Sequence, residues 1–246
     1  MKSVPSGQTL VLIPAYDEEG SIRRVIEEVK AIYPGMPVLV VNDCSKDATV
    51  SEARIAGAEV LSLPCHLGLG GCVQAGYKFA YGMGYSTVVR IDGDGQHDPR
   101  DISRLLDRLA SSGVEMVIGV RAPGSSAGFR TSLLRRIGIA FFKLLLRPIL
   151  GRRVSDPTSG FVAVNHRALE LFSHTFPLEY PEIEALVVLQ RKAFRFEEIE
   201  SVMRPRIAGR SSITPLKSVY FVLHVLLGVF ANILRYDGAP VRPRGR

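Results

Sequence analysis

Five short apolar runs punctuate the first 120 residues: TLVLIP (9–14), PVLVVN (37–42), AEVLSL (58–63), STVVRI (86–91) and EMVIGV (115–120). Each is too short for a helix and has no polar face, the pattern of strands buried on both sides of a parallel sheet. Between them lie amphipathic stretches of helical period: EEGSIRRVIEEVKAIY (18–33), KDATVSEARIAG (46–57), GGCVQAGYKFAYGMG (70–84) and PRDISRLLDRLASSG (99–113). Strand–helix alternation at this spacing predicts an α/β fold, a doubly wound, mostly parallel sheet flanked by helices. Ligands of such folds bind beyond the C-terminal strand ends.

The pattern changes after Arg121. APGSSAGFRTS (122–132) reads as a loop and TSLLRRIGIAFFKLLLR (131–147) as an apolar helix with Arg135, Arg136, Lys143 and Arg147 at polar positions, ended by Pro148. GFVAV (160–164) predicts a strand, PEIEALVVLQRKA (181–193) a helix and RFEEIESVMRPR (195–206) an extended run. VYFVLHVLLGVFANIL (219–234) is strongly apolar but only 16 residues long, below the usual bilayer span. It predicts a C-terminal buried or interfacial helix, followed by a basic tail. The organisation expected is therefore residues 1–214 as one catalytic unit, with 1–120 and 121–214 as its halves, and 215–246 as helix and tail.

Charge is divided unevenly between the halves. Residues 1–120 hold 11 Lys+Arg against 15 Asp+Glu, whereas 121–246 hold 20 against 9, and 17 of those 20 cations are arginine. Arginine forks match phosphate oxygens two at a time, so the second half is suited to anions. Nucleic acid would account for the arginines but not for the acidic cluster below, and no nucleic-acid motif is present. Three cysteines without a CxxC pair fit a reducing compartment, and the first residues lack a signal-peptide pattern, which together point to the cytoplasm.

The candidate chemistry gathers in IDGDGQHDP (91–99). Asp92 and Asp94, two residues apart, point the same way at a strand end, with Gly93 easing the turn and Gln96 adding a neutral oxygen. Hard oxygen donors suit Mg²⁺ or Mn²⁺, which keep one or two protein carboxylates and take further ligands from phosphates. The alternative is an acidic, solvated loop. Asp98-Pro99 reads as a helix N-cap and first-turn proline, with Asp101 in the capping-box position; His97 either lines the site or solvates the turn. Two other strand ends open at the same edge. Tyr16, Glu18 and Asp43 can hold a nucleobase by stacking and by accepting its N–H groups. HLGLGGCVQAG (66–76) offers glycines for a phosphate's approach, though it is neither a dinucleotide fingerprint nor a P-loop.

These stretches together resemble glycosyltransferase family 2, enzymes of the GT-A fold. PAYDE (14–18) resembles the family's PAYNE, and VVNDCSKD (40–47) its VVDDGSTD. DGDGQHDP (92–99), SDPTSGFVAV (155–164) and RPRIAGRSSI (204–213) resemble blocks of the dolichyl- or polyprenyl-phosphate sugar synthase branch. The resemblance implies that Pro14, Tyr16, Glu18 and Asp43 hold the nucleoside of a UDP- or GDP-hexose, with Asp92 near ribose and sugar. It further implies that Asp94 and Gln96 bind the metal, that Arg121 and Arg135 hold an acceptor phosphate, and that Arg206, with Arg210 nearby, closes over the diphosphate. Asn42 and Cys44 depart from the second motif, and His66 and Leu69 from the Asn and Lys of the third.

The expected activity is inverting, metal-dependent transfer of a hexose to polyprenyl phosphate at the cytoplasmic membrane face, with the enzyme peripherally attached. An anionic acceptor oxygen needs no general base. A hydroxyl acceptor would need one, and Glu182 and Glu184 are the candidates, with first-turn acids on a helix as their structural alternative. A non-catalytic nucleotide-sugar-binding module is the reading outside enzymes. Residues 131–150 and 219–234 have three readings: core helix, membrane-surface helix, or the interface of a homo-oligomer.

Overall fold

The computed structural model describes residues 9–121, 143–144 and 146–206. Its strands are β1 (Thr9–Ala15), β2 (Val38–Asn42), β3 (Glu59–Ser62), β4 (Thr87–Arg90), β5 (Met116–Arg121), β6 (Val162–Val164) and β7 (Phe196–Ser201). They form one sheet in the order β3-β2-β1-β4-β6-β5-β7. All pairings are parallel except those of β6, which runs antiparallel between β4 and β5. The helices are α1 (Ile22–Ile32), α2 (Thr49–Ile55), α3 (Gly68–Gly82), α4 (Ile102–Ser112), α5 (His166–His174) and α6 (Pro181–Arg191). The mostly parallel, helix-flanked sheet expected from the apolar runs is present.

Both faces of the sheet are covered, which explains the unbroken apolar runs. Along β1, Leu10 and Leu12 enter one core with Tyr77 of α3, Phe172 of α5 and Leu186 of α6. Val11 and Ile13 enter the other, with Ile22 and Ile26 of α1 and Leu105 of α4. Alternate residues of a strand face opposite ways, so a strand buried twice must be apolar throughout. β3 departs from its expected full burial: it is an edge strand, with Glu59 and Ser62 exposed. Its apolar run is short because only its β2 side is paired.

Three further details differ from the sequence reading. Helix α5 was not anticipated; its Asn165 N-cap accepts from the Ala168 N–H at 3.1 Å, and Tyr77 stacks on its Phe172 at 5.6 Å. Helical backbone runs through Pro148 from 146 to 150 and stops at Gly151, whose φ is +65°. Proline's ring fits helical φ, although it removes one N–H bond and crowds the preceding carbonyl, and the buried Leu146 and Leu150 pack that last turn. The glycines of HLGLGGCVQAG serve packing: a Cβ on Gly70 would lie 2.3 Å from the Leu178 carbonyl oxygen, and one on Gly76 would lie 2.4 Å from Leu12. Residues 122–142, including the start of the apolar helix, and the segment 219–234 lie outside the described residues. Among the described residues no helix is long and apolar enough to cross a membrane.

Asp98 and Pro99 open a short 3-10 turn as expected, the Asp98 carboxylate accepting from Arg100 N–H at 3.0 Å. Asp101 does not close a capping box. Its carboxylate accepts instead from Ser201 Oγ (3.0 Å) and Val202 N–H (2.8 Å) and meets Arg104 at 2.8 Å. It thereby ties the end of β7 to the start of α4. We expect Asp101→Ala to lower stability by about 2 kcal/mol, because the buried Ser201 hydroxyl and the partly buried Val202 N–H lose a charged acceptor. Urea unfolding followed by circular dichroism measures this, and an unchanged midpoint would refute the tie.

Candidate active site

Strand order reverses between β1 and β4. From β1 the chain builds outward through β2 and β3, while β4 lies on its other side. Loops leaving the C-terminal ends of two such strands diverge and leave a crevice. Here those loops are 16–21 after β1 and 91–98 after β4, and they carry Glu18, Asp92 and Asp94.

β4 stops at Arg90, so Asp92 and Asp94 lie on the turn beyond it rather than on the strand itself. Gly95, at φ +76°, supplies the left-handed step of the turn. The Asp94 Oδ1 accepts from Gln96 N–H at 2.9 Å, and its Oδ2 meets Arg206 at 2.9 Å. Asp94 is buried, whereas the Asp92 side chain is 38% exposed. Burial, reinforced by the charge of Asp92, raises the Asp94 pKa above the ordinary aspartate value, against the opposing pull of the Gln96 N–H and Arg206.

His97 lines this turn from below. Its Nδ1 accepts from the Asp92 N–H at 3.1 Å, which leaves its proton on Nε2, 3.8 Å from Asp92 Oδ2. The ring stacks on Phe161 at 4.9 Å and 15°. Phe161 belongs to the SGF block, so two motifs separated by more than 60 residues buttress each other. The sequence leaves His97 either lining the site or solvating the turn; the ring is buried, and its stacking on Phe161, next to β6, is not legible in DGDGQHDP.

Glu18 joins the carboxylates. It accepts from Ser21 Oγ at 2.9 Å, and its pKa is raised by burial, against the Ser21 bond, with Asp94 and Asp92 adding to the rise and Arg206 opposing it. Asp43 sits apart with the third motif: its Oδ1 accepts from Leu67 N–H at 2.7 Å and its Oδ2 lies 3.0 Å from His66 Nδ1. His66 in turn packs against the half-exposed Tyr16 ring at 4.4 Å. Pro14 lies within β1, beside Val41 of β2. Asn42 accepts from Ser45 N–H at 3.1 Å, so it keeps the turn that an aspartate would make. Cys44 adopts φ +66°, where glycine is at home, which is why a glycine suits this position of the motif.

The arginines divide. Arg206 reaches Asp94 because residues 202–206 cross the turn as a strap. Arg204 N–H bonds to the Gln96 carbonyl at 2.8 Å, and its guanidinium spans Glu28 (2.7 Å) and Asp98 (2.8 Å). The sequence reads this segment as extended; the pairs of Arg204 with Glu28 and Asp98 come only from the fold. Arg121 ends β5 at the same edge of the sheet, half-buried. Arg135, Arg136 and Arg210 lie outside the described residues. Glu184 is buried and accepts from Tyr180 N–H at 3.1 Å across the first turn of α6. Glu182 pairs with the buried Arg90.

Comparison with known proteins follows this geometry. The family model for glycosyl transferase family 2 matches residues 10–172. Polyprenol monophosphomannose synthase of Mycolicibacterium smegmatis is 32% identical over 176 residues, 68% of this chain and 64% of that protein. Undecaprenyl-phosphate mannosyltransferase of Micrococcus luteus is 33% identical over 162 residues, 63% of this chain and 65% of that protein. The matched region thus spans just under two thirds of either relative. Among solved structures, glucosyl-3-phosphoglycerate synthase of Mycobacterium tuberculosis, bound to Mn²⁺, UDP-glucose and phosphoglyceric acid, superposes with a TM-score of 0.69 at 22% identity, covering 92% of this chain and 79% of that one. On the order of its motifs, the sheet that carries them and the extent of the family match, this chain belongs to glycosyl transferase family 2 and has the GT-A fold.

Proposed function

We propose that the chain transfers a hexose from a nucleotide sugar to a polyprenyl phosphate, with inversion, at the cytoplasmic face of a membrane. Residues 1–214 form the catalytic unit in this reading. The observation that carries it is the state of the two glutamates that would serve a hydroxyl acceptor. Glu184 is buried and engaged with the Tyr180 backbone, and Glu182 is committed to Arg90. A hydroxyl must lose a proton as it attacks, so it needs a free base. A phosphate oxygen is already anionic and needs positioning instead, which the arginine-rich second half is suited to supply. Relatives whose names specify polyprenol and undecaprenyl phosphate acceptors support the same choice.

The donor set fits a divalent cation. Asp94 and Asp92 raise the cost of ionising Glu18 at the crevice, Asp92 does the same to Asp94, and Arg206 is the cation paired with Asp94. Among the described residues no three His, Cys, Asp or Glu side chains form a metal cage by themselves. Mg²⁺ and Mn²⁺ suit such a site, because they take remaining ligands from phosphates and water. Asp94 and Gln96 would hold the ion, with Asp92 beside the ribose and sugar. When bound, it neutralises charge on the departing diphosphate.

The chain's own groups do the rest. Tyr16 offers a ring face to the base, and Glu18 and Asp43 offer carboxylates to the nucleoside. Arg206 moves from Asp94 toward the diphosphate once another cation takes its place. Arg121 and Arg135 hold the acceptor phosphate. One acceptor oxygen attacks the anomeric carbon from the face opposite the leaving group. The C–O bond to the diphosphate breaks, and the nucleoside diphosphate departs with the electron pair.

Two outcomes follow. Incubating the full chain with polyprenyl phosphate, Mn²⁺ or Mg²⁺ and labelled UDP- and GDP-hexoses should put label into lipid extractable by organic solvent. Asp94→Ala should cut that rate about 100-fold or more, and Glu184→Gln should leave it little changed. Transfer only to water-soluble hydroxyl acceptors, or its collapse in Glu184→Gln, would overturn the phosphate acceptor. Separately, Glu18 has a raised folded-state pKa, so its share of stability is present at low pH and is lost as pH rises through that value. Glu18→Gln keeps the acceptor for Ser21 and removes the charge. Its urea midpoint should exceed the parent's at pH 7 without metal, and the gain should vanish near pH 4. A midpoint gain independent of pH would contradict the carboxylate crowding.

A further inference from the structure

Beneath the acidic turn, on the core side of β4, lies an ion pair to which the transfer chemistry above assigns no role. Arg90 is 2% exposed and projects among Tyr77, Met116, Ile118, Phe172 and Phe176. A guanidinium in such a setting survives only with close carboxylates. Glu182, from the first turn of α6, is one, joined to Arg90 Nη2. Asp92, two residues further along the chain, is the other. A Cβ built on Gly160 would lie 2.5 Å from Arg90 Nη2 and 2.9 Å from Asp92 Oδ1, so guanidinium and carboxylate both close over the same point. Burial alone would ease the proton off Arg90, yet Glu182 first and Asp92 second hold its pKa above the usual arginine value. A cavity of about 20 Å³ adjoins the pair, room for one water. Arg90 Nε has no hydrogen-bond partner among the described residues.

A pair whose only task was to dock α6 on β4 would be an expensive choice, since well-packed apolar side chains do that at least as well. This pair has a second neighbour, and that neighbour faces the donor site. We propose that Arg90 and Glu182 form a buried positioning pair that sets the Asp92 carboxylate for the donor, with Gly160 kept bare so that all three can meet. The inference rests on the reading of the acidic turn as a metal–nucleotide site. Arg90 anchors the inner side of Asp92, and Glu182 balances enough of the guanidinium charge to keep Asp92 available to ligands. Neither Arg90 nor Glu182 touches the reacting atoms. Gly160 extends the same logic to the SGF block, whose next residue, Phe161, supports His97 under the same loop.

The test compares Arg90→Met/Glu182→Leu, Arg90→Lys and Glu182→Gln with the parent chain. Mn²⁺ affinity is read by electron paramagnetic resonance in the presence of UDP and, separately, GDP, with thermal unfolding beside it. The apolar double variant should unfold within a few degrees of the parent, while its Mn²⁺–nucleotide affinity falls tenfold or more and the KM for donor rises. Arg90→Lys should restore part of that affinity. Glu182→Gln, should the double variant not fold, carries the test alone: Asp92 then faces an unbalanced guanidinium. Its unfolding midpoint should fall, because the buried guanidinium loses its partner, and, read well below that midpoint, its Mn²⁺ affinity should drop several-fold, an effect that loss of a general base would not produce. A folded double variant or Glu182→Gln with parental Mn²⁺–nucleotide affinity would overturn the positioning role. Absence of Mn²⁺-dependent nucleotide binding by the parent would overturn the reading of the acidic turn itself, and the positioning role with it.

Discussion

Carboxylates gathered where strand order reverses set the terms for this molecule. Glu18 from the loop after β1 and Asp92 and Asp94 from the turn after β4 are near enough for both aspartates to raise the cost of ionising Glu18, and for Asp92 to raise that of Asp94. Packing that brings like charges together must be maintained by something else. Here both strands are inner strands of a sheet covered on both faces, and the turn after β4 is held by the Gln96 N–H donating to the Asp94 carboxylate and by the stacked pair His97–Phe161. The crevice is therefore preorganised for positive charge before any ligand arrives.

Two arginines answer that charge from opposite sides, with different consequences. Arg206 comes from the strap after β7 and meets Asp94 on the ligand side, 30% exposed, where exchange for another cation is cheap. Arg90 lies on the core side of Asp92, near enough to feel its charge, and is paired there with Glu182, where leaving is costly. The Arg206 pair is therefore the more readily exchanged of the two. That asymmetry is what a site needs if it is to bind a metal–diphosphate and still keep its carboxylates in place without one. The strap itself depends on Asp101, Asp98 and Glu28, none of which faces the donor in the proposed reaction.

Much of this was legible beforehand, for identifiable reasons. β1, β2, β4 and β5 are inner strands, so solvent imposes no alternation and their apolar runs stand out. The D-x-D turn and the Asp98-Pro99 cap are local, built from residues within a few positions of one another. Edge strand β3 was recognised but not its exposure, because a single paired side cannot be inferred from six residues. Helix α5 was missed because HRALELFSH is short and carries few apolar residues; its stability comes from Tyr77 and Phe176 packing on Phe172. Pro148 misled because its lost hydrogen bond and ring crowding bear on the preceding turn, while helical φ suits the ring and the buried Leu146 and Leu150 pack the turn around it.

The sequence by itself determined which residue types stand at the C-terminal ends of the strands, that those ends share one edge, and that the two halves of the chain carry opposite charge. Tertiary structure alone decided the state of each charge. Arg90 and Glu182 are separated by 92 positions, Glu28 and Arg204 by 176, and no periodicity connects them. Their meeting depends on β6 entering antiparallel between β4 and β5 and on β7 closing the far edge. A strand pattern specifies which faces are buried, but the neighbour a strand takes follows from the packing of the whole. For that reason the carboxylates could be read from the chain, and the arginines that balance them could be read only from the fold.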